Sequence, residues 1–150
     1  MNDNTNCFEL LECELTNIIY ENQSDYIVGL LAEGNEVGVS LNPYDGTILT
    51  FVDGGCAENP HINTIHQVLL KFMESSGFEL SRVLIEAKYG DIVYCRLHWG
   101  HKKQDIYNVV ALGDALILHS LTQAPMFISR FVLNQCEPFD SEGYMESYED

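Results

Sequence analysis

Apolar and polar residues alternate along the first third of the chain, a pattern typical of β-strands that bury one face. The alternation is clearest from Phe8 to Leu15, where apolar residues are interleaved with acidic ones. Two turns divide this region, one over residues 33–36 and one around Asp45-Gly46. The pattern predicts four strands here, over residues 8–15, 26–31, 37–41 and 47–52.

The apolar spacing changes to that of a helix near residue 60. Apolar residues then recur three and four positions apart, and they predict a helix that buries a single face made of Ile62, Ile65, Val68, Leu69, Phe72 and Met73. Asn59 before Pro60 is one candidate N-cap, and Asn63 is the alternative. Gly77 is a candidate stop for this helix.

A second helix is predicted from Asp114 to Thr122, with Ala115, Leu118 and Leu121 in its buried face. It should pack on a sheet, and Pro125 follows its end. A single long helix over residues 109–131 would contradict this interpretation. The remaining strands are predicted over residues 82–87, 92–97, 106–111 and 126–131.

This order of elements predicts an α+β fold with a largely antiparallel mixed sheet and two main helices, because parallel βαβ units would alternate strands and helices strictly. The chain has 150 residues, enough for about one domain. We expect the domain to span residues 8–133, between a mobile N-terminus at 1–7 and an acidic C-terminal tail at 134–150. The tail is a candidate for binding a protein partner, and the alternative is a solubilising tail.

The charge distribution restricts the function. The chain has 7 Lys and Arg against 23 Asp and Glu, a net charge of −16, and Lys71 is the first basic residue. Nucleic-acid binding needs a basic face that displaces counterions. We therefore expect nucleic-acid binding, if the chain has any, to be weak and to use residues 71–103, which hold six of the seven bases.

The composition predicts a cytoplasmic protein. Its five cysteines show no metal-ligand spacing and are interpreted as reduced, small apolar residues. The first residues lack the apolar segment of a signal peptide. No apolar run is long enough to cross a membrane.

Two polar residues in apolar surroundings are candidates for chemistry. Asp114 starts the second predicted helix, where the helix dipole alone would stabilise a carboxylate. The functional alternative is a ligand for Mg²⁺ or Mn²⁺, which prefer oxygen. His66 lies on the first predicted helix, as a catalytic base, a metal ligand or a structural histidine.

One stretch combines aromatic, basic and imidazole side chains, namely His98, Trp99, His101, Lys102 and Lys103. Lysines can contact phosphates while a tryptophan stacks on a base. These residues are the candidate substrate-binding group. The alternative is a polar hairpin tip that binds nothing.

Residues 109–129, VVALGDALILHSLTQAPMFIS, resemble the signature of the bifunctional nuclease domain family. That signature runs Arg-Pro-Ser-Asp-Ala-Ile, then a short apolar helix, then Gly-Ala-Pro-Ile-Phe-Val-Ser. Its Asp falls at Asp114 and its last Ser at Ser129, and a Thr-His-Asp-Leu-Leu motif upstream places its His at His66. The resemblance implies an α+β fold, self-association and a metal-assisted nuclease acting on DNA and RNA.

The chain departs from this pattern at residues that would contact phosphate. Ala111-Leu112-Gly113 stands where the family has Arg-Pro-Ser, and alanine cannot replace an arginine that grips phosphate. Two functions remain, a metal-assisted nuclease and a noncatalytic interaction or regulatory protein that keeps the fold, and the departures favour the second. Strand edges with no lysine in residues 1–70 predict a homodimer.

Overall fold

The computed structural model describes residues 8–21, 25–54 and 63–140. Within these ranges the chain forms nine strands and four helices, which confirms the α+β class but exceeds the two main helices predicted. None of the helices in these ranges is long and apolar enough to span a membrane.

The elements follow one another in this order: β1 (Leu10–Glu12), β2 (Glu14–Glu21), β3 (Asp25–Ala32), β4 (Asn35–Leu41), α1 (Pro43–Asp53), α2 (Ile65–Ser75), β5 (Glu79–Tyr89), β6 (Ile92–Gly100), β7 (Ile106–Ala111), α3 (Leu112–Thr122), β8 (Met126–Ser129), α4 (Arg130–Gln135) and β9 (Glu137–Pro138).

The strands form two sheets with helices between them. One is a mixed sheet of order β1-β8-β5-β6-β7, in which only the β5–β8 pair is parallel. The other is antiparallel, of order β2-β3-β4-β9. α3 packs on β5 and β6 of the mixed sheet, while α1 packs on α3 and on β3. The α1–α3 pair therefore lies between the two sheets.

This position explains why α3 is apolar on every side. Its buried residues surround the helix axis rather than following one face, and they include Leu112, Ala115, Leu116, Ile117 and Leu118. A helix that is hydrophobic all round is typical of a fully buried element. The prediction of one buried face was therefore too narrow, and the helix begins two residues earlier than expected.

Residues 43–53 form helix α1, so the strand predicted over 47–52 is wrong. Asn42 caps the helix, because its Oδ1 accepts a hydrogen bond of 2.8 Å from the N–H of Asp45. The proline that follows the cap occupies the first helical position, where no N–H is needed. The Asp45-Gly46 step, which resembles a turn in sequence, lies in the first turn of this helix.

The helix α2 begins at Ile65, and its cap is neither Asn59 nor Asn63. Thr64 caps it through a capping box, in which Oγ1 of Thr64 accepts from the N–H of Gln67 at 3.2 Å and Oε1 of Gln67 accepts from the N–H of Thr64 at 2.7 Å. Asn59 itself lies outside the described residues.

The predicted last strand stops at Ser129, and residues 130–131 belong to α4. Oγ of Ser129 accepts a hydrogen bond from the N–H of Val132 at 3.2 Å and donates one to the carbonyl of Glu86 at 3.0 Å. The boundary predicted at residue 134 falls inside α4, and β9 pairs with β4 beyond it. The predicted end segments 1–7 and 141–150 lie outside the described residues.

Candidate functional site

The face of α2 that was predicted to be buried is largely exposed. Ile65 is 69% exposed and Phe72 is 74% exposed, and Val68 and Leu69 are exposed as well. The buried residues of this helix are His66 and Leu70 instead. α2 therefore presents a row of large apolar side chains away from the core.

This exposed face forms one wall of a groove of about 500 Å³. The other side of the groove consists of Leu118 on α3 with Leu97 on β6 and Val110 on β7. Among the residues that line it, only His66 and Asp114 are polar. The groove is thus an apolar channel with one polar pair.

His66 and Asp114, which are 48 positions apart in sequence, meet in this groove. Nε2 of His66 lies 2.9 Å from Oδ1 of Asp114. His66 is 7% exposed, whereas the side chain of Asp114 is 48% exposed. The carboxylate is therefore the half of the pair that a ligand in the groove could reach. Nδ1 of His66 is buried and has no hydrogen-bond partner among the described residues.

The local sequence of α3 explains why an acid occupies this position. The N-cap residue Ala111 has no side chain that could accept a hydrogen bond from the helix start. Asp114 lies in the first turn, where free N–H groups and the helix dipole stabilise a carboxylate. Asp114 thus stabilises the start of α3 and also contacts His66.

The surroundings of Asp114 do not fit a metal centre of protein ligands. Within the described ranges, no group of three or more His, Cys, Asp or Glu side chains is placed to hold a metal ion. Oδ1 of Asp114 is already engaged by His66. Among the residues that the structure describes, a cation there would have one carboxylate and no second acidic, histidine or cysteine ligand grouped with the His66–Asp114 pair.

The sheet divides the predicted substrate-binding group, because side chains of a strand alternate between its two faces. His98 and Trp99 are consecutive residues of β6 and lie on opposite faces. Trp99 is 2% exposed and belongs to the core, so its predicted role in stacking on a base is wrong.

His98 is held on the outer face by groups of its own chain. Its Nδ1 accepts a hydrogen bond of 3.2 Å from Nε of Arg82, and its ring stacks on Tyr107 with 4.5 Å between ring centroids. Nε2 of His98 lies 3.2 Å from Oδ2 of Asp105, but the geometry is not that of a hydrogen bond. These contacts position His98 as a link between β5, β6 and β7.

Lys102 and Lys103 are exposed in the loop before β7, and the ring of the neighbouring His101 packs on Phe78 at 4.5 Å. Asp114 follows β7. A strand of six residues spans about 20 Å, so one copy of the chain keeps these lysines well apart from Asp114. The structure joins His66 to Asp114 but leaves the predicted substrate-binding group elsewhere.

The exposed wall of the groove was missed by sequence reasoning, although a signal for it exists. At 100° per residue, the apolar residues of α2 cover roughly 200° of the helix circumference, about twice the stripe that one buried face needs. Leu70 and Met73 lie on the side towards α3, and the surplus apolar side is the one left exposed. The width of the apolar stripe on α2, rather than its period, therefore indicates that one side of the helix is exposed.

The cysteines that the structure describes contribute no thiol chemistry to the site. Burial raises the pKa of the Cys13 thiol to about 12, and it also raises the pKa of Cys95. Thiols with such pKa values stay protonated at neutral pH and are poor nucleophiles. The groove therefore has one polar pair and no activated cysteine among its lining residues.

The resemblance of residues 109–129 to the bifunctional nuclease domain rests on those residues and on the position of His66. In the structure this segment contains the end of β7, α3 and β8, with Asp114 in the first turn of α3. Comparison with protein-family models finds no model that matches the chain, and comparison with curated proteins finds no match either.

Proposed function

We propose that the chain is a noncatalytic interaction domain and that the groove between α2 and α3 is its binding surface. The observation that carries this proposal is the row of exposed apolar side chains on α2, which continues into the apolar floor of the groove. Monomeric proteins rarely expose contiguous apolar surface of this kind unless it serves binding.

The occupant that fits is a basic amphipathic helix of a partner protein. α2 has 11 residues, so the groove wall is about 16 Å long and accommodates about three turns of a second helix. Such helices place apolar anchors at positions i, i+3, i+4 and i+7. The net charge of −16 and the half-exposed carboxylate of Asp114 favour a partner with positive charge.

The geometry of the polar pair supports binding more than catalysis. A general base needs a free nitrogen within reach of the proton that it removes. Nε2 of His66 is occupied by Asp114, and Nδ1 of His66 is buried. Asp114 is therefore best suited to accept a hydrogen bond from a bound helix.

The test uses a labelled helical peptide with leucines at i, i+3, i+4 and i+7 and lysines on its other face. We expect Phe72→Ser to weaken peptide binding at least tenfold, because large apolar anchors dominate interface energy. Tyr44→Ser is the matched control, since Tyr44 is a similarly exposed aromatic residue on α1, outside the groove. Equal binding by wild type and Phe72→Ser, or no binding by wild type, would reject the proposal.

A metal-assisted nuclease is the second candidate, and the meeting of His66 with Asp114 favours it. The described residues do not form a metal centre of protein ligands. The test compares wild type with Asp114→Asn on single-stranded RNA and DNA, with Mg²⁺, Mn²⁺ or chelator. Loss of about a thousandfold in rate, in the variant and in chelator, would support it. Cleavage no higher than in a mock purification would exclude it.

The cysteines support a reducing compartment for this protein, and we place it in the cytoplasm. Cys13, Cys95 and Cys136 are all free thiols. Disulfides form and persist mainly in secreted proteins. Mass spectrometry of protein purified under alkylating conditions should find these three thiols unpaired.

A further inference from the structure

Strand β7 leaves one edge of the mixed sheet open. In the part of the chain that the structure describes, β7 pairs with β6 on one side and with no strand on the other. Its sequence, IYNVVA, contains neither a charge nor a proline, which are the usual features that stop edge strands from pairing. Tyr107 and Val109 are exposed beside this edge.

We propose that β7 pairs antiparallel with β7 of a second copy of this chain, about a two-fold axis that lies midway between Asn108 of the two copies. Residues that lie directly opposite each other in an antiparallel pair have side chains on the same face of the sheet. A two-fold axis between identical strands therefore places one residue opposite its own copy, and not opposite the next residue along the strand. With the axis at Asn108, Tyr107 opposes Val109 of the second copy and Ile106 opposes Val110. Both are pairs that stabilise neighbouring strands, aromatic with β-branched and aliphatic with β-branched.

Opposite charges at the two ends of β7 favour a second copy as the partner. Lys102 and Lys103 lie just before the strand and outnumber Asp105 there, so this end carries a net positive charge. Asp114 lies just after it, and Asp45 and Asp91 line the cavity beside residues 111–113. Antiparallel pairing places the basic end of each strand against the acidic end of the other. Complementary charges of this kind fix register and exclude wrong partners.

The same register brings together the parts of the site that one chain keeps apart. Antiparallel pairing directs the loop that carries Lys102 and Lys103 towards the end of the other copy's β7, where α3 begins. Each lysine pair would then lie on the same side of the interface as Asp114 of the other copy. The surface used is the edge of β7 and not the exposed face of α2, so this inference does not rest on the proposed function.

Cysteine cross-linking tests the register directly. Asn108→Cys places the same residue of both copies at the axis, where opposed Cα atoms lie about 4.5–5.5 Å apart, within the range that a disulfide bridges. We expect mild oxidation to give a covalent dimer in this variant. Val109→Cys is the matched control, because position 109 opposes position 107 and its two copies lie too far apart to join. Equal cross-linking of the two variants and wild type, or cross-linking at 109 instead of 108, would overturn the proposal.

The oligomeric state tests the contact without cross-linking. We expect wild type to have the mass of a dimer in light scattering, and Val109→Lys to raise the dimer dissociation constant at least tenfold by placing a charge at the edge. Lys102→Glu with Lys103→Glu should weaken the dimer as well. Tyr20→Lys is the control, since Tyr20 is exposed on β2 of the antiparallel sheet, away from the β7 edge. A monomer mass for wild type at several hundred micromolar would overturn the proposal.

Discussion

Nε2 of His66 lies 2.9 Å from Oδ1 of Asp114, and this contact joins the first turn of α2 to the first turn of α3. α2 packs mainly on α3 and presents its other apolar side outward. Because little of the surface of α2 is buried in the core, the position of this helix depends on few contacts. The polar pair therefore sets the position of α2 and with it the width of the groove.

We expect Asp114→Ala to lower the free energy of unfolding by about 1–3 kcal/mol, because it leaves the buried His66 ring without its hydrogen-bond partner. A double-mutant cycle with His66→Ala should give a coupling energy of about 0.5–3 kcal/mol. Hydrogen exchange should accelerate over residues 65–75. Ser120→Ala, which removes an exposed 3.2 Å hydrogen bond to Asp53, serves as control. Additive effects of the two substitutions would contradict a direct contact.

At Gly46, a contact between α1 and β3 outweighs the helix propensity of the residue. Alanine stabilises helices relative to glycine by about 1 kcal/mol. A Cβ at position 46 would nevertheless come within 2.0 Å of a carbon of the Tyr26 ring. We expect Gly46→Ala to destabilise the fold by about 1–3 kcal/mol in urea denaturation, as overpacking does. In a Tyr26→Ala background the same substitution should cost much less, and an unchanged cost there would show that the ring is not the cause.

Ser129 is the residue that converts the last predicted strand into helix α4. Its hydroxyl caps α4 through the N–H of Val132 and binds the carbonyl of Glu86 on β5. We expect Ser129→Ala to cost about 1–2 kcal/mol, because the cap is lost and the half-buried carbonyl of Glu86 loses its donor. Ser75→Ala, at an exposed serine on α2, is the control. A cost at Ser129 no larger than at Ser75 would reject this role.

The strands with regular alternation or turn signals were predictable, while the elements set by caps and contacts were not. The hairpin around residues 33–36 and strand β7 follow directly from the apolar pattern. Four of the six residues 47–52 are β-branched and the segment follows an Asp-Gly step, so local propensity favours a strand. Asn42 caps a helix at this point, and Leu49 on that helix is fully buried in the core. These two features outweigh the local preference for a strand.

The candidate site was predictable only in part, for a related reason. His66 and Asp114 each stood out as a polar residue among apolar ones, and the structure brings them together. Trp99 was grouped with its neighbours by sequence position. Because β6 continues to Gly100, strand alternation instead turns Trp99 into the core. Adjacent residues of a strand point to opposite faces of the sheet. The grouping of Trp99 with its neighbours could therefore be rejected only by knowing that β6 extends to Gly100.

The burial of Trp99 predicts the fluorescence of the protein, since this is its single tryptophan. We expect a blue-shifted emission maximum and weak quenching by iodide in the folded state. Emission should shift to longer wavelength on unfolding in urea. Adding an oligonucleotide to the folded protein should leave the emission unchanged, because no face of the ring is free to stack on a base. Quenching by an oligonucleotide would restore the predicted stacking role.

The buried thiol of Cys13 predicts a loss of stability at alkaline pH. Burial, with a smaller contribution from Glu14, raises its pKa from the usual 9.0 to about 12. Between these values the unfolded chain releases a proton that the folded chain keeps. The contribution of this thiol to stability is therefore complete below pH 9 and is lost as the pH rises towards 12, by about 1.4 kcal/mol per pH unit.

The measurement is urea denaturation at pH 8, 9 and 10 for wild type and Cys13→Ala. Lysines and tyrosines also titrate in this range, so the comparison between the two proteins isolates the thiol. We expect the free energy of unfolding to fall more steeply with pH in wild type than in the variant. Cys95, whose pKa burial also raises, should show the same behaviour in Cys95→Ala. Parallel pH profiles for wild type and Cys13→Ala would show that Cys13 is exposed to water, in conflict with its place in the core.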